Sequence, residues 1–206
     1  MKPISVLLVD DHAMLREGLR AIFSFHKDIH VVGDAENGRE ALQLVRDLKP
    51  DVVIMDLMMP VMDGLSATRK IKSEFPTVNV LILTTFGSSA DVALALDDGA
   101  SGAIMKDASR DDLLQAIRTI ANGGSFLAPE IRKVITSEPR PKRLTDKQLT
   151  ILESATRGLT NADIAKQLDI PVDMVTQHMT AIYQKLGAAN RTEAVAIALR
   201  KQLLKI

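Results

Sequence analysis

Five times within its first 124 residues the chain passes through a short apolar run and then through a stretch with helical periodicity. "ISVLLVD" precedes Leu15, Leu19 and Ile22, which share one face of a helix over Ala13 to Phe25. "HVVGD" precedes a helix carrying Ala41, Leu44, Val45 and Leu48, and "DVVIMD" precedes one over Leu65 to Phe75. "VNVLILTT" precedes Ala90 to Leu96, and the weak run "GAIMK" precedes a helix carrying Leu113, Leu114, Ile117, Ile120 and Ala121. Apolar, β-branched runs of this length suit parallel strands covered on both faces. Five successive βα units therefore predict an α/β fold, a doubly wound five-stranded parallel sheet with flavodoxin-like strand order.

Asn122-Gly123-Gly124 closes this module, placing a first domain at 1–124. Residues 125–143 are expected to be a linker, with Pro129, Pro139, Pro141 and scattered basic residues, and a short helix over Glu130 to Ile135. Residues 144–206 predict a small all-α domain of four helices. Thr145 and Gln148 have capping-box spacing, as do Thr160 and Asp163. Pro171 opens a third helix that Gly187 stops, and Asn190 with Glu193 caps a fourth.

A net charge of zero conceals an asymmetry. Residues 1–126 hold 13 Lys and Arg against 18 Asp and Glu, residues 127–143 hold 5 against 2, and residues 144–206 hold 8 against 6. An acidic front and a basic back imply modules with different partners. The absence of cysteine excludes disulfides and thiolate metal sites and fits a reducing compartment. The first ten residues do not form a signal peptide, and no apolar run approaches the roughly 18 residues of a membrane span. A cytoplasmic location without membrane attachment is expected.

The strand ends carry the chemistry. The first strand ends in Asp10 and Asp11, the third in Asp56, the fourth in Thr84 and Thr85, the fifth in Lys106. In a parallel sheet these ends meet at one edge, where ligands bind. Taken singly, each has a bland explanation as a helix cap, turn residue or surface charge; arriving together, they predict a site. Three crowded carboxylates call for a cation, and an all-oxygen set suits Mg²⁺ or Mn²⁺ rather than Zn²⁺. Such a pocket can take a phosphoryl group, with Asp56, central among the three, as nucleophile.

The blocks "LLVDDHAMLREGL", "DVVIMDLMMPVMDGL", "VLILTTF" and "GASGAIMKDAS" resemble the signatures of response-regulator receiver domains. The resemblance implies a phosphorylated aspartate at Asp56, metal carboxylates at Asp10, Asp11 and Asp56, a switch hydroxyl at Thr84 and a lysine at Lys106. It also implies a histidine kinase partner that donates the phosphoryl group from a phosphohistidine. One departure stands out: receivers usually carry Tyr or Phe three residues before this lysine, and here that position is Ala103.

In the tail, "LTNADIAKQLDIPVDMVTQHMTAIYQKLG" has helix-turn-helix spacing. Val175, Met179, Ile182 and Leu186 form the inward stripe of the second helix, and Asp173, Thr176, Gln177, Thr180 and Gln184 face outward. "LTDKQLTIL", "GLTNADIAKQLDI" and "IYQKLGAANRTEAV" resemble the LuxR/NarL-type output domain, so that the whole chain resembles a NarL/FixJ-class two-component regulator binding promoter DNA. The family's usual lysine is replaced by Thr176, leaving the expected groove-facing surface nearly uncharged. Gln177 is a candidate adenine reader. Lys166, Lys185 and Arg191 are candidate phosphate contacts; His178 either touches the DNA backbone or packs internally. The last helix carries Val195 and Leu199 on one side and Ala194, Ile197 and Ala198 on another, which predicts a homodimer through one of them.

The expected function is a phosphorylation-controlled transcription regulator, with no enzymatic role beyond the receiver's self-phosphorylation. A phosphatase with an aspartate nucleophile would need a second Asp two residues after Asp56, and that residue is Met58. The alternative is a receiver-linked interaction module with weak or no DNA binding.

Overall fold

The computed structural model describes residues 2–85, 89–137, 143–200 and 203–204. Part of the predicted linker, including Pro139 and Pro141, lies outside the described residues. The chain divides into two compact units, Met1–Arg140 and Pro141–Ile206.

The first unit alternates β1 (Ile4–Val9), α1 (Ala13–Ser24), β2 (Ile29–Ala35), α2 (Gly38–Leu48), β3 (Val52–Asp56), α3 (Gly64–Glu74), β4 (Asn79–Thr84), α4 (Ser89–Asp97), β5 (Gly102–Met105) and α5 (Arg110–Ala121). All neighbouring strands are parallel, in the order β2-β1-β3-β4-β5, with one further strand beyond β5. Side chains alternate between faces along each strand, and both faces are filled. Leu7, Val53, Met55, Ile82 and Ala103 pack under α2, α3 and α4, while Val6, Leu8, Ile54, Leu81 and Ile104 pack under α1 and α5. On α1 the fully buried residues are Arg16, Leu19 and Phe23, with Leu15 and Ile22 only partly covered.

The sheet has six strands, not five. β6 (Phe126–Leu127) pairs with β5 at Gly102 and Ala103 and leads into α6 (Pro129–Ser137), longer than the predicted helix. The cause is packing rather than propensity. Gly102 lies so close to the new strand that a Cβ there would stand 2.2 Å from the Phe126 carbonyl oxygen. The Ala128 amide donates to the Ala103 carbonyl at 3.1 Å, and Ala128 and Ile131 join the core that contains Ala103 and Met105. Part of the stretch expected to be a linker is thus seated on the sheet.

The second unit comprises α7 (Asp146–Thr156), α8 (Asn161–Leu168), α9 (Val172–Leu186) and α10 (Arg191–Arg200). Both predicted capping boxes form, at Thr145 with Gln148 and at Thr160 with Asp163. Asp169, in the left-handed conformation, ends α8, and Gly187 ends α9 in the same way. Ile151, Leu152, Ile164, Val175, Met179, Ile182 and Ala198 make the core.

Gly102→Ala is expected to expel β6, at a cost of about 1–3 kcal/mol for the overpacked contact. Amide hydrogen exchange checks this: Phe126 and Ala128 should lose protection while β1 and β3 keep theirs. Unchanged protection at Ala128 would contradict the close approach.

Candidate functional site

Burial of a carboxylate needs compensation, and the sheet's carboxyl edge supplies it. Asp10 follows β1 and Asp56 ends β3, both almost fully buried. Lys106, next after β5, reaches between them: its Nζ stands 2.6 Å from Asp10 Oδ2 and 3.0 Å from Asp56 Oδ2. Thr84 ends β4, buried, and its carbonyl accepts the Lys106 amide at 2.7 Å, which fixes where the lysine leaves the sheet. Asp11 is more exposed. His12, not anticipated from sequence, holds Nδ1 2.7 Å from Asp11 Oδ1 and 3.0 Å from Asp10 Oδ1. The signal for it was its place directly after the paired aspartates.

Below Asp56 the backbone is equally constrained. A Cβ on Gly64, the first residue of α3, would lie 1.9 Å from the Asp56 carbonyl oxygen, so only glycine lets α3 start so close to the site. Val61, in the intervening loop, takes a left-handed φ of 67°, and the Met62 amide turns back to the Pro60 carbonyl at 2.7 Å. A β-branched residue there is strained. Met58 and Val61 are exposed beside the pocket.

Ligand atoms from Asp10, Asp11, His12 and Asp56 all lie within 4.8 Å of one another, close enough to converge on one ion. Asp10 Oδ2 is buried and, apart from its ion pair with Lys106, accepts no well-aimed hydrogen bond among the described residues. An oxygen in that state fits a cation, and the predominance of carboxylates fits a hard one. Burial pushes the Asp56 carboxyl above the ordinary aspartate value; the Lys106 ammonium pulls against this and the Asp10 carboxylate adds to it. Burial by itself would lower Lys106, but its hydrogen bonds to Asp10 and Asp56 outweigh that and hold the ammonium above its ordinary value.

On the second unit, α9 presents Asp173, Thr176, Gln177, Thr180 and Gln184 to solvent, while Val175, Met179 and Ile182 are buried and Leu186 partly so. The Gln177 side chain makes no hydrogen bond among the described residues. Thr176 Oγ1 donates to the Val172 carbonyl at 3.2 Å and accepts from Asn161 Nδ2 at 3.1 Å; Thr180 Oγ1 donates to the Thr176 carbonyl at 3.1 Å. His178 is half-buried and Lys166 exposed.

Two basic residues named as phosphate contacts are engaged elsewhere. Lys185 Nζ donates to the Arg143 carbonyl at 2.6 Å and to Gln148 Oε1 at 2.7 Å. Arg191 binds the Ala155 and Leu159 carbonyls and Asn161 Oδ1, tying α10 to α7 and α8. Both cations are thus bonded to carbonyl oxygens inside the unit. On α10, Ala194, Ile197 and Ala198 face the core and Leu199 is 44% exposed.

Because its pKa is raised by folding, ionised Asp56 costs stability at neutral pH. Asp56→Asn is expected to melt at a higher temperature than the wild type at pH 7. The gap should narrow as pH falls through the raised pKa toward the ordinary 3.8. Melting both proteins between pH 7 and pH 4 tests this; a variant that melts lower at pH 7 would refute it.

Residues 6–118 match the family described as the response regulator receiver domain, and residues 142–198 match the bacterial regulatory proteins of the luxR family. The chain is 35% identical over 213 residues to the transcriptional regulatory protein LnrK of Bacillus subtilis, spanning 96% of this chain and 97% of that protein. It is 36% identical over 207 residues to the response regulator VraR of Staphylococcus aureus, spanning 98% and 99%. Among solved structures it resembles the response regulator ChrA of a heme-sensing two-component system, with a TM-score of 0.58, 36% identity and coverage of 99% of this chain and 100% of that one.

Proposed function

The chain belongs to the response regulators that join a receiver to a LuxR-type DNA-binding domain, and we propose that Asp56 is the residue whose phosphorylation controls its binding to promoter DNA. The observation that carries this is the Lys106 ammonium set between the Asp10 and Asp56 carboxylates at the sheet's edge. Transcription regulation is the activity of the family; the residue roles that follow are our reading of the geometry.

A partner histidine kinase presents a phosphohistidine. An Asp56 carboxylate oxygen forms a bond to phosphorus as the phosphorus–nitrogen bond breaks, and the imidazole nitrogen leaves with the electron pair. Mg²⁺, or Mn²⁺, would be held by Asp10, Asp11 and Asp56 and would neutralise phosphoryl oxygens when bound. Lys106, beside the Asp10 and Asp56 carboxylates, would neutralise a further oxygen. The Thr84 hydroxyl engages the phosphoryl group from the end of β4. Ala103 cannot supply the rotating ring that receivers usually carry. In its place stands the junction of β5 with β6 and α6, which supports a signal leaving through the connector.

We keep the domain division at 1–124, 125–143 and 144–206, with β6 and α6 as the part of the connector docked on the receiver. Gln177 is the base reader, Thr176 and Thr180 line the groove beside it, Lys166 and His178 meet backbone phosphates, and the exposed Leu199 side of α10 meets a second copy. No helix among the described residues is long and apolar enough to cross a membrane, and we assign the regulator to the cytoplasm. The scarcity of cations on α9 favours one second reading, an interaction module with weak DNA binding, because phosphate neutralisation supplies most DNA affinity.

Asp56→Asn is expected to abolish uptake of phosphate from an acyl phosphate donor, read by intact-protein mass spectrometry. A variant that still gains one phosphate would refute Asp56 as acceptor.

Gln177→Ala is expected to cost about 1–3 kcal/mol at a selected binding site and little on random duplex. Thr176→Lys should strengthen binding to all sequences and steepen its salt dependence. Equal losses on specific and random DNA in Gln177→Ala would remove it as a base reader. Salt-independent or undetectable DNA binding by the phosphorylated wild type would favour the interaction module.

A further inference from the structure

The loop that carries Asp10 is fastened from inside by a residue with no part in the site described above. Arg16, one turn into α1, is almost fully buried. Its Nη1 donates to the Asp10 backbone carbonyl at 2.6 Å. Its Nε donates to Asp34 Oδ2 at 3.2 Å and its Nη2 to Glu36 Oε1 at 2.8 Å. One rigid guanidinium thus joins the end of β1, the end of β2 and the residue that follows it, using nitrogens at fixed angles.

The loop needs such a fastener. α1 begins after His12, whose side chain makes no capping hydrogen bond to the helix among the described residues. The Asp10 side chain instead closes the turn with one oxygen and leaves the other at its ion pair. Oδ1 accepts the His12 amide at 2.9 Å, and Oδ2 faces Lys106 at 2.6 Å. The carboxylate's direction is therefore set by where the Asp10 backbone sits, and Arg16 holds that backbone through its carbonyl. Replacing the guanidinium would leave a buried carbonyl without this donor and free the loop to turn its carboxylate away.

We propose that Arg16 is a positioning residue that aims Asp10 at a divalent cation, an inference that rests on the metal assignment under the proposed function. Groups that orient metal ligands without touching the ion commonly change affinity by about 10–100-fold when removed.

Arg20 provides the control. It also pairs with Asp34, through Nη2, but none of its recorded bonds goes to Asp10. Arg16→Met and Arg20→Met each lose an ion pair to Asp34, and only the first also loses the Glu36 pair and the Asp10 carbonyl bond. Calorimetric titration of the full chain with MgCl₂ should show affinity weakened about 10-fold or more in Arg16→Met. Affinity in Arg20→Met should stay within about twofold of wild type, with far-ultraviolet circular dichroism native in both. Wild-type affinity in Arg16→Met, or an equal loss in Arg20→Met, overturns the positioning role while leaving the metal site standing. A wild type that binds no Mg²⁺ overturns both. Should Arg16→Met fail to fold, Arg16→Lys decides. Its single ammonium cannot reproduce the three-way fork, so a weakening of about threefold or more supports the proposal, and wild-type affinity refutes it.

Discussion

A buried negative charge with its compensation on a different strand governs this molecule. Asp10 and Asp56 stand at the ends of β1 and β3, and Lys106 arrives from β5, two strands beyond β3. None of the three could be buried alone at tolerable cost. Their meeting requires that the strands be parallel, that they end at one level, and that β4 between them deliver Lys106 through the Thr84 carbonyl. Glycine at position 64 is a consequence of the same crowding, because α3 must begin against the Asp56 backbone. Burial, with the neighbouring Asp10 carboxylate, still holds the Asp56 carboxyl above its ordinary value against the pull of Lys106, so the site has room for a further cation.

The DNA-binding unit distributes its charge differently. Lys185 and Arg191 look available in the sequence, yet both are turned to backbone carbonyls of their own unit. The outward face of α9 is left with Asp173, amides and hydroxyls, and two of those hydroxyls bond back into the helix. An interface of this kind discriminates by hydrogen-bond geometry more than by electrostatic pull, so it depends on being held in place by something else. Under the proposed pairing of two copies through α10, two such surfaces would act as one.

What could be read from the sequence divides along the range of the interactions involved. The five βα units and both capping boxes are local, set by side-chain period and by contacts three residues apart, and they are visible without a structure. The gathering of Asp10, Asp56 and Lys106 is long-range but follows from parallel topology, so it too is legible. β6 is neither. Two residues have no period, and Phe126 and Leu127 become a strand only because Gly102 admits them. Arg16 is hidden for a related reason: a charged residue in a helix looks solvent-facing until the carboxylates of another strand are placed opposite it. The engagement of Lys185 and Arg191 depends on carbonyls, which carry no sequence signature at all.

The two-residue strand has one more effect. Along one border of the sheet it occupies part of the row of amides and carbonyls that β5 would otherwise turn outward, and α6 then covers the same side. An uncovered strand at a sheet border is a template on which another chain can lay itself down. Gly102 to Met105 is apolar, uncharged and flat enough to serve as one. Any movement that lifts the connector would therefore bare a sticky border for as long as it lasted. Seated on β5, Phe126 and Leu127 in this sense also guard the sheet's border against aggregation.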